Sequence, residues 1–509
     1  MNSFSLSDWL QQWLAAGSEP VYRQLYRLLR QAILEGQIQP GARLPSSRSM
    51  ARDVGIARNT VIQVYEQLAI EGYVSATTGK GTFVEDISQD SIEGVGAPVP
   101  SVDVGAGQTP GPNLSDRGQR LIGRLGFSKR QHGAFMAGLP DVAEFPLKVW
   151  LRIQNRQWRQ ADPRLLTYAP AGGFPPLRQA ISGFLHSTRS VNSTAQQVVI
   201  TTGIHQALDV ATRLLCDIGD TVWIEDPSYW GLRNLLISSG LNVVPVAVDA
   251  EGIRPSMADR KNPPRLIVVT PSHQYPLGMV MSLARRRWLL QYARKHGCWI
   301  LEDDYDSDFR FGSRPLPSLQ GLDEAGRVLY VGSFSKTLYP GLRLGYMVVP
   351  EGLSEDFASA VAELYREGQL MTQSIVAEFV REGYLSSHIR RVRNLYAQRR
   401  ALLIDAIRNS YGDQLEIVGD EAGLHLVLGL PDEVDDVQVC RDAFDRGILV
   451  RPLSDYYLDP ARMRRGLLLG YAEVPPDEIK PAFRLLAGVI DDALAGIAGE
   501  GQQVADRNR

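Results

Sequence analysis

The chain of 509 residues holds only three cysteines, Cys216, Cys298 and Cys440. They lie far apart and form no CxxC pair, which argues against a disulfide framework and a zinc ribbon. No metal site is expected. Long apolar runs are also missing, since none reaches the roughly 18 residues that span a membrane. The N-terminal MNSFSLSDWLQQWL lacks the basic and then apolar regions of a secretory signal. A soluble, cytoplasmic protein is therefore expected. Charge of one sign is not in excess either, with a net charge of -3 and an isoelectric point near 6.2. That excludes a uniformly basic coat protein but leaves room for one basic domain. With 44% hydrophobic and 22% charged residues, wholesale disorder is excluded. The length suggests about three domain-sized units.

Residues 85–116 differ from everything around them. They contain five Gly, four Pro, four Ser and six acidic residues, but no aromatic residue, Lys or Arg. Such a stretch cannot bury enough apolar area to offset its ordering entropy. It reads as a flexible linker. Residues 1–84 ahead of it carry eight Lys/Arg and six Asp/Glu, a net +2, inside an acidic protein.

The pattern in residues 1–84 is helix, helix, tight turn, helix, hairpin. Leu25, Leu28, Leu29 and Ile33 line the first helix, which Gly36 ends. LPSSRSMARDVG gives a short second helix capped by Ser46 or Ser47, and Gly55 makes the turn. Arg58-Asn59-Thr60 opens a third helix to about Glu71, with Val61, Val64, Tyr65 and Leu68 inside and Gly72 closing it. Tyr73-Val74 and Thr82-Phe83-Val84 pair around Thr78-Gly79-Lys80-Gly81 as a wing. LPSSRSMA, ARNTVIQVYEQLAIEGY and TGKGTFV resemble the winged helix-turn-helix of the GntR regulators. A recognition helix presents its N-terminal residues to base edges. Arg58 suits guanine and Asn59 adenine. Thr60 and Arg48 suit phosphate, and Gly79-Lys80 can approach the backbone or minor groove.

From about residue 117 the chain alternates buried strands with helical stretches. VVITT, TVWIED, RLIVVTP, CWILEDD and VLYVGSFS are the strands. That order implies an α/β fold with a mostly parallel sheet. A smaller, mainly helical C-terminal part follows from about 356 to 495, after a large part over about 150–355. In Ser333-Phe334-Ser335-Lys336, a lysine follows hydroxyl residues just past a strand, and Arg343 lies seven positions on. A lysine for imine chemistry must be held partly desolvated, and a phosphate needs hydroxyls and a guanidinium. Thr202-Gly203-Ile204-His205 runs from strand into helix, a ready phosphate site.

Together with AGLPDVAEFP, TYAPAGGFPPLRQAI, TPSHQYPLG and HIRRVRNLY, this resembles the fold type I aminotransferases, which use pyridoxal 5'-phosphate. With the winged helix in front, the chain resembles the MocR-type regulators. The resemblance implies a homodimer in which Lys336 forms the internal aldimine. Asp303 pairs with the pyridine nitrogen, Tyr305 with the ring oxygen, and Tyr229 stacks on the ring. Ser333, Ser335, Arg343 and the Gly203–Ile204 amides hold the phosphate, and Tyr168 reaches a phosphate in the other subunit. Two departures stand out. Tyr275-Pro276-Leu277-Gly278 replaces an N-P-T-G motif, leaving Gln274 or Tyr275 to face the ring oxygen. The arginine that clamps a substrate carboxylate falls at Leu468, with Arg451, Arg464 and Arg465 nearby. Gly231, two residues past Tyr229, offers no side chain to a second acidic group. The expected function is a regulator that binds operator DNA and senses pyridoxal phosphate, an amine or an amino acid. The alternatives are an aminotransferase with an appended DNA-binding domain, and a regulator whose large domain is a cofactor-free scaffold.

Overall fold

A computed structural model describes residues 10, 19–77, 80–86, 114–122, 133–160, 162–312, 317–366 and 368–507. Gly79 and most of the expected linker lie outside them. The chain forms two compact units, Met1–Pro112 and Asn113–Arg509.

In the first unit, α1 (Val21–Leu34), α2 (Ser47–Val54) and α3 (Arg58–Ile70) precede the hairpin β1 (Val74–Thr77) and β2 (Gly81–Val84). Ser46, rather than Ser47, caps α2, its hydroxyl accepting from the Ser49 amide at 3.1 Å. Gly55, at φ 72°, supplies the left-handed turn into α3. Leu25, Leu29 and Ile33 of α1 pack with Met50, Val61, Val64, Tyr65, Leu68, Val74 and Val84. Leu28 sits only partly buried at the edge of that core. Val74 pairs with Val84 and Thr77 with Gly81 across the wing.

The second unit is built on an eight-stranded sheet. Its strands are β3 (Val198–Thr201), β4 (Thr221–Asp226), β5 (Asn242–Asp249), β6 (Gly252–Ile253), β7 (Leu266–Val269), β8 (Trp299–Asp304), β9 (Val328–Ser333) and β10 (Gly345–Val348). Their order is β3-β10-β9-β8-β7-β4-β5-β6. Neighbours from β9 through β5 run parallel. Strand β10 lies antiparallel to both β3 and β9. Fully buried runs such as Val198–Thr201 and Leu266–Val269 fit a sheet covered on both faces. A second, antiparallel sheet holds β11 (Ile417–Val418), β12 (His425–Gly429), β13 (Arg451–Pro452) and β14 (Gly466–Gly470) in the order β11-β12-β14-β13.

The boundary between the large and small parts falls later than residue 355. Helix Leu370–Arg381 still packs with Trp150, Leu177 and Ile181 of the large part. The crossing occurs inside helix Tyr384–Tyr411. Its Leu385 and Ile389 belong to the large core, and its Tyr396, Leu403 and Ile407 belong to the small one. Phe135 also joins the small core, and its backbone bridges to Gly470. Among the described residues, no helix is long and apolar enough to cross a membrane.

Leu68 is fully buried in the core of the first unit. Leu68→Ala is expected to lose about 3 kcal/mol from the first unit by transfer and cavity terms. Calorimetry should show one transition moving down and the transition of the large unit staying in place.

Candidate functional site

The end of β8 concentrates four acidic residues, Glu302, Asp303, Asp304 and Asp306, around Tyr305. Strand pleating sends Glu302 and Asp304 to one face and Asp303 to the other. Glu302 accepts the Leu319 and Gln320 amides at 3.0 Å each, and the Arg286 guanidinium is 3.9 Å away. Asp304 accepts from Arg189 at 2.8 Å and from the Tyr330 hydroxyl at 2.6 Å. Both Asp306 oxygens lie 3.1 Å from His273 Nδ1, and the Tyr305 hydroxyl lies 2.9 Å from the same nitrogen. Asp303 is different: no described residue donates a hydrogen bond to its carboxyl. Burial first, then Asp304, Asp306 and Glu225, push it up to about 8 against the opposing pull of Lys336.

Lys336 follows the end of β9, next to β8 in the sheet. Its Nζ donates to the Gly138 carbonyl at 2.5 Å, so the AGLPDV segment closes over it. Burial holds the ammonium below its usual value, while Asp306 and Asp303 pull it back up. Ser333 Oγ accepts from the Ser335 amide at 3.1 Å, which tightens the turn before the lysine. Gly203, at φ 128°, leads into helix Ile204–Leu215. A Cβ on Gly345 would sit 2.8 Å from Gly203 Cα, so two glycines let β10 start against this helix N-terminus. Arg343 is exposed, and its charge reaches both His205 and Tyr229. One site thus joins Lys336, Tyr305 and Tyr229 through Asp303, and Arg343 through Tyr229, while strand pairing sets Ser333 opposite Gly345, which abuts Gly203. Tyr168 is not part of it and is 84% exposed.

An aromatic wall completes the cleft. Tyr275 meets Tyr229, Tyr305, His425 and Tyr456 edge-on, with ring centroids 5.3–6.0 Å apart. The Tyr275 hydroxyl is 3.2 Å from that of Tyr456. Gln274 is turned away, donating to the carbonyls of Pro227 and Tyr275 at 2.8 and 2.9 Å and accepting from Leu277. Gly231 has a steric reason: a Cβ there would fall 2.6–2.8 Å from the Tyr229 ring and hydroxyl. Leu468 is fully buried in β14, and Arg451 is its partner in β13. Arg464 is paired with Glu416 and Arg465 with Asp436. Arg451 is the candidate whose charge acts on Tyr229, Tyr275 and Tyr456 of the wall. Sequence reasoning passes over Asp306, His273, His425 and Tyr456. His425 is buried, donates to the Pro276 carbonyl at 2.9 Å and is pushed down to about 4 by burial and by His273. His273 Nε2 is buried with no hydrogen-bond partner. The proximity of Asp303 and Lys336, and Ser333 set opposite the Gly345 that abuts the Gly203 turn, fit the pyridine ring and phosphate of pyridoxal phosphate.

On the first unit, Arg48, Arg58, Asn59 and Lys80 are exposed and Thr60 is half-buried. The Arg58 guanidinium reaches Ser47 Oγ at 3.4 Å, joining the starts of α2 and α3. Arg43 is a further basic residue there, placed so that a Cβ on Gly81 of the wing would meet its Nε at 2.6 Å.

Residues 21–84 match the bacterial regulatory proteins of the gntR family, and residues 137–483 match the class I and II aminotransferases. The probable rhizopine catabolism regulatory protein MocR of Rhizobium meliloti is 38% identical over 92% of this chain and 93% of its own length. The pyridoxine biosynthesis transcriptional regulator PdxR of Corynebacterium glutamicum is 29% identical over 90% of this chain and 93% of its own. The kynurenine aminotransferase of Pyrococcus horikoshii superposes with a TM-score of 0.66 at 26% identity, covering 72% of this chain and 92% of that one. Fold and site therefore define a DNA-binding regulator joined to an aminotransferase-like unit. The chain belongs to the MocR-type branch of the GntR regulators.

Asp303 offers a direct check of the cleft's electrostatics. It titrates at about 8 in the folded chain and near 4 when unfolded. The unfolded chain thus loses this proton first, and rising pH between those values favours unfolding. Asp303→Asn removes that slope. In protein free of small ligands, the melting temperature of the variant relative to the parent should climb from pH 4 to 8 and then level off. A difference independent of pH would contradict the burial of this carboxyl.

Proposed function

We propose that the protein is a cytoplasmic, homodimeric transcriptional regulator that holds pyridoxal 5'-phosphate in the cleft and responds there to an amine-bearing ligand. The observation that carries this reading is Lys336 beside an Asp303 carboxyl with no hydrogen-bond donor of its own among the described residues. Residues 1–84 contact operator DNA through Arg48, Arg58, Asn59, Thr60, Gly79 and Lys80. Residues 85–116 tether them to the unit over 117–509. Lys336 attaches the cofactor, Asp303 pairs with its ring nitrogen, Tyr305 with its ring oxygen, and Tyr229 stacks. Ser333, Ser335, Arg343 and the Gly203–Ile204 amides hold its phosphate. Tyr168 serves the cleft of a second copy, which agrees with its exposure and with exposed Leu147, Leu151, Trp158 and Leu166 on nearby segments. Bound pyridoxal phosphate supplies a carbonyl carbon that condenses with primary amines and a ring that withdraws electrons.

The effector is an amino acid with one carboxylate, received by Arg451. That guanidinium is on the small part and Lys336 is on the large part, so such a ligand ties the two together. Gly231, covered by the Tyr229 ring, leaves no second cation at that position. The absence of arginine at Leu468 weighs against ordinary transamination, which needs a rigid bidentate clamp.

Visible absorption during titration with amines and amino acids tests this. A cofactor band is expected in the parent protein and not in Lys336→Ala, which should remain a folded dimer. Amino acids should shift the band, and Arg451→Ala should weaken their effect tenfold or more while sparing amines without a carboxylate. A band unchanged by Lys336→Ala would overturn the site. Full conversion to the amine form of the cofactor, reversed by a keto acid, would instead identify an aminotransferase. Arg58→Ala should cost about 1–3 kcal/mol at the operator and much less on unrelated DNA. Equal losses on both would reduce Arg58 to a phosphate contact.

A further inference from the structure

Beside the loop after β8 lies a concavity of about 280 Å³ that neither Lys336 nor Asp303 lines. Three elements wall it: the end of helix Pro175–Arg189, the loop after β8, and the start of helix Tyr384–Tyr411. Four guanidiniums contribute, from Arg189, Arg310, Arg390 and Arg393, against one carboxylate, Asp308. Arg189 is already matched by Asp304. Glu421 also acts on Arg310, yet the wall still keeps an excess of positive charge. Arg390 and Arg393 form no hydrogen bond or ion pair with any described residue. They are one turn apart on the same helix, so both can face a common ligand. Thr188, Ser307 and Ser386 add hydroxyls, and Phe184 and Ile389 add an apolar side.

Guanidiniums grouped with hydroxyls around a half-open concavity suit a tetrahedral oxyanion, which they grip through paired charge-assisted hydrogen bonds. We infer that this cavity is a binding site for a small phosphate-bearing ligand, distinct from the cleft that contains Lys336. Burial and Asp304 push Asp308 up to about 6, opposed by Arg189 and Arg393, so the one carboxylate on the wall repels an anion less below neutral pH. The long helix here carries residues of both the large and the small core. Arg189 meanwhile grips Asp304, the neighbour of Asp303 in the chain. The cavity and the cleft therefore share the end of β8 and the helix on which the two parts join.

The test uses full-length protein saturated with pyridoxal phosphate, so that the cleft's own phosphate cradle is filled. Calorimetric titration at constant ionic strength would compare inorganic phosphate, glycerol 3-phosphate and chloride. Saturable binding of phosphate or the phosphate ester, absent for chloride, is expected. The variant Arg390→Ala/Arg393→Ala should weaken it at least tenfold while the visible band of the cofactor stays unchanged. Ser386→Asp, a single exposed substitution, should weaken it in the same direction. Tighter binding of the ester than of inorganic phosphate would identify a phosphorylated metabolite, and the reverse would identify the free ion. Phosphate binding unaltered in both variants would overturn the site. So would variants that lose affinity for DNA alone, since the arginines would then serve the nucleic acid backbone.

Discussion

Everything in the large unit turns on how β8 ends. Four carboxyls in five residues would repel one another beyond tolerance unless each had a partner or kept its proton, because an uncompensated buried charge costs several kcal/mol. Three are compensated: Glu302 by two backbone amides and Arg286, Asp304 by Arg189 and Tyr330, Asp306 by His273. These partners come from helix Leu283–His296, helix Pro175–Arg189, β9 and the loop after β7, so satisfying the strand end pins most of the large part. Asp303 is the one left over, and its strain is directed into the cleft. A cation placed opposite it gains from the relief of that strain. A pyridine nitrogen that keeps its proton is such a cation.

The same residues explain why Lys336 can be both buried and reactive. An amine held below its usual pKa by burial reaches its neutral, nucleophilic form more easily. The Gly138 carbonyl gives its proton a place without adding a charge. This carbonyl is held in turn. The Asp141 amide donates to the Tyr396 hydroxyl at 2.9 Å, and Arg399 pairs with the Asp141 carboxylate at 2.8 Å. The segment that closes over the lysine is thereby anchored to the small part.

What could be read from the sequence follows from how far apart the cooperating residues lie. Ser333 to Arg343 is one continuous stretch, and the three helices of the first unit each carry their own caps and apolar stripe, so local rules suffice. Strand β5 is harder, because Pro245 interrupts an otherwise regular apolar run and proline argues against a central strand. In the structure it lies next to β6, which ends the sheet. The residues that hydrogen-bond the β8 carboxyls from separate elements stand from 17 to 115 residues along the chain from them, and no spacing rule links such residues. The replacement of the missing arginine is similar. Arg451 comes to Leu468 only through the pairing of β13 with β14, a register that an isolated two-residue strand does not announce. The role of Tyr168 rests on the resemblance alone, and one copy of the chain leaves it exposed.

A regulator differs from an enzyme in where binding energy goes. An effector shifts a conformational equilibrium only by its difference in affinity for the two states. A ligand whose amine meets Lys336 and whose carboxylate meets Arg451 spans the two parts that share helix Tyr384–Tyr411, so its affinity depends on their spacing. Arg451 stands on β13, an edge strand of two residues, and not on the central β14. A central strand would hold the carboxylate rigidly enough for proton transfer to be timed by geometry. An edge position yields more readily, and a yielding grip couples ligand binding to domain position at the expense of catalytic precision. On the proposed reading, the exchange of arginine for leucine at residue 468 is thus the substitution that trades turnover for signalling.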